Sequence, residues 1–292
     1  MPVTAADLVA LFDIEPIGGD RFVGHSPKSG WQRVFGGQVV AQALVASSRT
    51  VEARAPHSLH AYFLLGGDPA EPILFEVERV RDGRSFTTRR VVARQRGEAI
   101  FVLSASFHIE EEGLDHQFPM PDAPEPDKLL DPMAAIALLG DKAKTRLQGL
   151  LERIQPIEFR PLDLGRYTPL PPGAVREPKQ SLWVRIAGTL PDDPSVHRAA
   201  LAYLSDMTLL DTALVAHGRT VFDARFQAAS LDHSLWLHRP FRADEWLLYV
   251  QDSPTAHGAR GLTRGLLYSR AGALVASVAQ EGLVRPLPPA QS

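Results

Sequence analysis

Two stretches decide the architecture: GRSFTTRRVVARQRGEAIFVLSASF (Gly83–Phe107) and GARGLTRGLLYSRAGALVASVAQEG (Gly258–Gly282). They align without a gap. Gly83/Gly258, Thr88/Thr263, Arg89/Arg264 and Gly97/Gly272 are identical, and the apolar positions largely coincide. Each stretch reads as two strands about a turn. Residues alternate with the period of two that a half-buried strand requires, and QRGE and RAGA supply a glycine where the chain reverses. Two further pairs follow the same order at nearly the same offset: HSLH from His57 with HSLW from His233, and AQALVAS (Ala41–Ser47) with DTALVAH (Asp211–His217). Three matches in one order signal a duplicated unit.

Each unit has one plan. A helix comes first, GGQVVAQALVASSRTV in the first copy and DMTLLDTALVAHG in the second, so that Asp206 is expected at a helix start. Long antiparallel strands follow, and one central helix per unit can cover the face that such a sheet must bury. The expected fold class is α+β, two half-sheets side by side, each with its helix. The expected units are residues 1–110 and 156–292. Between them lies a connector, residues 111–155, with a proline-rich surface stretch, HQFPMPDAPEPDKLLDP, and a helix over Met133–Ile154. GRYTPLPPGAVREPKQ reads as a further loop.

Composition narrows the function. The 292 residues are 45% hydrophobic and 22% charged, as in an ordinary globular protein. A net charge of −3 gives no reason to expect a nucleic-acid or anionic-membrane surface. No apolar run reaches the roughly 18 residues of a membrane span. The start, MPVTAADLVALFDIEP, lacks the basic and apolar regions of a secretory signal. Absence of cysteine removes disulfides, a cysteine nucleophile and cysteine-ligated zinc, and agrees with a cytoplasmic setting. GHSPK and GRSFT fall short of a serine-hydrolase elbow. Glycine-rich nucleotide motifs are missing. The pairs His57/His60 and His233/His238 have no H-E-x-x-H context, so no metal is expected.

The differences between the copies carry the chemistry. Leu274, Ala276 and Val278 form an apolar row that arrives at Gln280, opposite Ala105 of the first copy. Asp206 falls near Gly36, and Ser230 and Asp232 fall near Arg54 and Pro56. The second copy therefore holds a carboxylate, a hydroxyl and an amide where the first has none. A carboxylate can take a proton from water while an amide and a hydroxyl orient that water. Glycines at Gly36 and Gly37 let a substrate carbonyl approach the amides of a helix N-terminus. Such parts suit water attack on a thioester, whose thiolate leaves with little protonation. Each residue also has a plainer use. Gln280 could mark a strand end in solvent, Asp206 could be an N-cap, and Ser230 could bond locally.

RVFGGQVVAQAL, HSLHAYFL with RDGRSFTTRRV, SDM, LDHSLWLHRPF, LLYVQDSP and GALVASVAQEGLVR closely resemble the type II acyl-CoA thioesterases over nearly the whole chain outside the connector. The resemblance implies a double-hotdog fold, hydrolysis of fatty acyl-CoA, no cofactor, and a homodimer or higher homo-oligomer. It implies that the nucleophilic water is held by Asp206, Ser230 and Gln280, with Ser230 at a position where bacterial relatives often carry threonine. His57 matches a histidine once suspected of a role. Beside the resemblance, adenine and phosphate contacts could come from Arg84, Arg89, Arg260 or Arg264, which could equally be solvated strand arginines; His57, Arg89 and Arg264 are the substrate-binding candidates. Two alternatives stand beside this: a hydratase-type hotdog, which lacks its histidine close after Asp206, and a non-catalytic acyl-CoA-binding protein.

Overall fold

The alternation in the sequence becomes one antiparallel sheet, in a computed structural model that describes residues 2–27, 32–130, 134, 155–165, 170–171, 174–221 and 223–288. The first half contributes β1 (Glu15–Pro16), β2 (Arg21–Gly24), β3 (Ala55–Phe63), β4 (Ile73–Asp82), β5 (Phe86–Gln95) and β6 (Glu98–His108). The second contributes β7 (Ile157–Pro161), β8 (Lys179–Ile186), β9 (Phe226–Ser230), β10 (Asp232–Leu237), β11 (Leu247–His257), β12 (Arg260–Ser269) and β13 (Leu274–Pro286). Their spatial order is β1-β2-β4-β5-β6-β3-β10-β13-β12-β11-β8-β7, with β9 added to the far end of β13. The order reads alike from both ends. β3 and β10 pair at its centre, so the duplicated half-sheets fuse into one.

Two buried helices fill the concave side. The helix α2 (Gly36–Ser48) follows α1 (Ala5–Phe12), and α3 (Pro194–Ser205) is its counterpart in the second half. Both are apolar on nearly every side, as helices must be when enclosed all round. Inward side chains such as Phe101, Leu103, Phe107, Ala276 and Val278 pack under them in one continuous core. Alanines on the helices, Ala41, Ala43 and Ala46 with Ala199, Ala200 and Ala202, keep the helices thin.

This placement corrects the helix expected from the repeat. The central helix of the second half ends where DMTLLDTALVAHG begins. That segment forms a turn and then only the short α4 (Thr212–Val215). Asp206 is accordingly the C-cap of α3. The match of DTALVAH to AQALVAS thus pairs segments with different places in the fold. The helix expected over Met133–Ile154 falls almost wholly outside the described residues.

The ungapped strand match also needs a one-residue correction. Ala105 faces Arg89 on β5 and Leu59 on β3. Gln280 faces Thr263 on β12. On β10, Ser234 faces Ala279, so the next residue across from Gln280 is His233. The equivalent rows are therefore Arg89–Ala105–Leu59 and Thr263–Gln280–His233. Each half-sheet has a bulge beside its turn, and a bulge between Pro56 and Ser58 sets His57 apart from the rows.

The proline-rich stretch lies over the outer face of the second half. Met120, Ala123 and Leu129 cover Trp183, Trp246, Leu248 and Tyr268. Trp183 Nε1 donates to the Pro124 carbonyl at 2.8 Å, and the Gln117 side chain bonds both Gly272 and Leu274.

The two helices meet tightly at Gly37, where an added Cβ would stand 2.3 Å from the Tyr203 carbonyl oxygen. Backbone cannot yield there as a side-chain tip could. Gly37→Ala is expected to cost about 2 kcal/mol by forcing α2 from α3, lowering Tm by about 4 °C. Calorimetry checks this, and an unchanged Tm would show slack between the helices.

Candidate active site

Asp206 owes its position to how α3 begins and ends. Asp193 caps the helix, its side chain accepting the Ser195 N–H at 2.8 Å, and Pro194 occupies the first turn where a missing N–H costs nothing. The helix stops at Ser205, and Asp206 follows with only 9% exposure. A carboxylate is unfavourable at the C-terminal end of its own helix. Here it lies against the N-terminus of α2 instead: a Cβ on Gly36 would be 2.6 Å from Asp206 Oδ2. Phe35 gives α2 no side-chain cap, and the Gly36 and Gly37 N–H groups find no acceptor among the described residues. The positive end of α2 thus faces the carboxylate left by α3.

Gln280 and Ser230 come to Asp206 from the sheet. Gln280 is an inward residue of β13 with no exposed surface. Its own carbonyl accepts from Thr263 Oγ1 at 3.0 Å. Ser230 closes β9, opposite Gly282. Asp232 secures the bend that follows, accepting the Glu281 N–H at 2.7 Å. Gln280 Nε2 donates to Asp206 Oδ1 at 3.0 Å and also to Ser230 Oγ. Ser230 Oγ donates to the same Oδ1 at 3.2 Å. One carboxylate oxygen is therefore held by two donors, while Oδ2 is turned to α2. This arrangement can orient a small polar molecule and accept its proton.

Behind the amide lies His233, fully buried, with Nδ1 3.0 Å from Gln280 Oε1 and Nε2 2.9 Å from Ser205 Oγ. Burial pushes its imidazole below the ordinary histidine range, against the attraction of Asp206.

Asp206 and Ser230 form part of the wall of a cavity of about 1190 Å³. Val39, Phe63, Phe101, Met207 and Leu210 make its apolar side, and Gly36 belongs to the same wall. Arg33 also lines it, exposed and without an ion pair among the described residues. The described residues include no group of three or more His, Asp or Glu able to hold a metal ion.

The chain is similar to known proteins over most of its length. Residues 26–108 match the model of an acyl-CoA thioesterase N-terminal domain, and residues 152–283 match that of acyl-CoA thioesterase. Acyl-coenzyme A thioesterase 8 of Rattus norvegicus is 42% identical, covering 96% of this chain and 89% of its own. The chain belongs to the acyl-CoA thioesterase family. The solved acyl-CoA thioesterase II TesB2 of Mycobacterium marinum shares 42% identity, with a TM-score of 0.79 over 97% of this chain and all of that one. At 19% identity, a hot dog fold protein of Alicyclobacillus acidocaldarius still gives a TM-score of 0.77, covering 96% and 98% of the two chains. The double hotdog that the resemblance implied is thus the fold of this thioesterase, and acyl-CoA hydrolysis is its reaction. None of its helices among the described residues is long and apolar enough to cross a membrane.

The thioesterase does not bring the other expected substrate contacts to the cavity. Arg89 is inaccessible: its guanidinium is taken up by Thr50, the Arg81 and Thr88 carbonyls, and Asp82 at 2.6 Å. Arg264 is bound to Asp252 on the exposed strand face, and Arg260 to Glu281. Arg84 is exposed but lines no part of the cavity. His57 bonds Ser106 at 2.8 Å and packs beside Phe86 and His108. Inward or outward phase decides these cases, and the ungapped alignment had it wrong by one residue on β5. Sequence reasoning also missed His233, because the HSLH/HSLW match set it opposite His57 instead of Leu59. Arg33 stood within the quoted RVFGGQ motif, but nothing in spacing alone marks it.

Buried neutral histidines give the thioesterase a pH signature. His233 and His197 are both held below their unfolded value near 6.5, with burial the largest cause. His197 Nδ1 accepts the Ala243 N–H at 3.1 Å, so that nitrogen carries no proton. Below pH 6.5 the unfolded chain gains protons that the folded chain refuses, and stability falls. Above that value both states are neutral and the penalty vanishes. Tm should therefore drop between pH 7.5 and pH 5.5 with net proton uptake on unfolding, measured by calorimetry in buffers of different ionisation enthalpy. A rise in Tm on acidification would contradict neutral burial.

Proposed function

We propose that this thioesterase cleaves fatty acyl-CoA by direct attack of a water held among Asp206, Ser230 and Gln280. The observation that supports it is the convergence of three groups from separate segments, beside an apolar cavity and an uncapped helix N-terminus. Asp206 takes a proton from the water as the water oxygen bonds to the thioester carbon. The carbonyl oxygen gains the negative charge, and the Gly36 and Gly37 amides at the positive end of α2 receive it. When the carbon–oxygen double bond reforms, the carbon–sulfur bond breaks. Coenzyme A leaves as a thiolate and recovers the proton from Asp206, leaving the free acid.

The acyl chain lies against Val39, Phe63, Phe101, Met207 and Leu210 in this reading, with Gly36 close to the reacting carbonyl. Arg33 offers a planar cation to a phosphate of the coenzyme.

Asp206→Asn keeps the shape and hydrogen bonds but removes the base. Its kcat should fall about a hundredfold or more with KM near that of the wild type, measured by thiol release. Unchanged turnover would remove Asp206 as the base. Arg33→Ala should raise KM for acyl-CoA roughly fivefold at low salt and less at high salt. The same variant should leave KM for an acyl-pantetheine, which has no phosphates, unaltered. An equal rise for both substrates would discard the phosphate contact.

A further inference from the structure

The amide of Gln280 has two ends and only one useful orientation. A carboxylate accepts hydrogen bonds and cannot donate them, so the end beside Asp206 Oδ1 must be Nε2. Oε1 is then turned away from the cavity, to His233 Nδ1 at 3.0 Å. An oxygen there needs a donor. Because His233 is neutral and has a single N–H, that proton sits on Nδ1. Nε2 is bare and needs a donor in turn, which only Ser205 Oγ, 2.9 Å away, supplies. Ser205 Oγ also lies 3.0 Å from the Ala202 carbonyl, but its one proton cannot serve both, and Nε2 has no other source. Ser205 is itself held at the end of α3, its carbonyl accepting from Tyr249 at 2.8 Å.

The donors thus run one way: Ser205 to His233, His233 to Gln280, Gln280 to Asp206 and Ser230. The duplicated half gives an internal comparison. There the pair facing each other across the strands is Leu59 and Ala105, both apolar. The histidine and the amide occur together in one half and are replaced together in the other.

We propose that His233 is a positioning residue, whose Nδ1–H holds Gln280 Oε1 and thereby fixes the amide with Nε2 toward Asp206 and Ser230. It is buried behind Gln280 and is not among the residues lining the cavity. The proposal rests on the reading of Asp206, Ser230 and Gln280 as the water-holding groups. Without His233, Oε1 loses its donor and only the contacts of Nε2 to Asp206 and Ser230 remain to oppose a flip that would set Oε1 against a carboxylate.

Asparagine and glutamine separate the two ring nitrogens. In His233→Asn the side-chain NH₂ takes the place of Nδ1, whereas in His233→Gln the longer side chain carries it to the place of Nε2. His233→Asn should keep kcat within about threefold, and His233→Gln should lose roughly tenfold to a hundredfold with KM unchanged, the scale of a misplaced group. Gln280→Ala should lose about a hundredfold, and adding His233→Gln to it should cost little more, since the histidine acts through the amide. Equal losses in the two His233 variants, or a full further loss in the double variant, would overturn the positioning role alone. Full activity in Gln280→Ala would instead overturn the water-holding reading. The wild-type enzyme offers a check that needs no variant: ¹⁵N NMR of His233 should show a protonated Nδ1 and a bare Nε2 near pH 7.5. The opposite tautomer would refute the proposal.

Discussion

The close approach of α2 to α3 is the constraint on which the rest depends. It brings the N-terminus of one helix to the C-terminal end of the other, and glycine at positions 36 and 37 removes the side chains that would hold them apart. A carboxylate placed after α3 meets an unfavourable field from its own helix and a favourable one from the neighbour. Neither helix alone would make that position suitable for a charge. The sheet then adds directed hydrogen bonds from Gln280 and Ser230, which select one carboxylate oxygen and leave the other toward the helix.

The two halves use the same slot differently. In the second, the row Thr263–Gln280–His233 is a set of neutral donors and acceptors that all find partners. In the first, Arg89 occupies the place of Thr263 and reaches to Thr50, just past the end of α2. A buried guanidinium is costly unless its N–H groups are satisfied. Thr50, two strand carbonyls and Asp82 satisfy them. The first half is thereby closed by a polar plug where the second holds the proposed site.

The fold was legible because its signals are periodic. Strand alternation, glycine turns and the ordered matches required no knowledge of contacts, and the two fused half-sheets followed from them. Gln280 was legible for the same reason, as a polar residue in phase with an inward row. Phase is lost wherever identity of letters stands in for geometry. A one-residue register difference on β5 moves Arg89 inward and leaves Arg264 outside, although the letters match. Asp193-Pro194 is a sound helix start, yet DTALVAH resembles the first helix more closely than α3 does and draws the alignment away from it. His233 could be seen in sequence but not its use, since its partners lie on another strand and another helix.

The chemical parts have also become unequally distributed along the chain. The uncapped amides belong to the first half, while the acid, the hydroxyl and the oriented amide belong to the second. An ancestor made of two identical units would have carried both contributions in each copy, and either copy could then have drifted freely. With Arg89 filling one slot and Asp206 set against Gly36, each half now holds what the other lacks. Gene fission could restore two separate polypeptides, yet they could never again be interchangeable. The two copies divide the parts between them, and neither holds the full set.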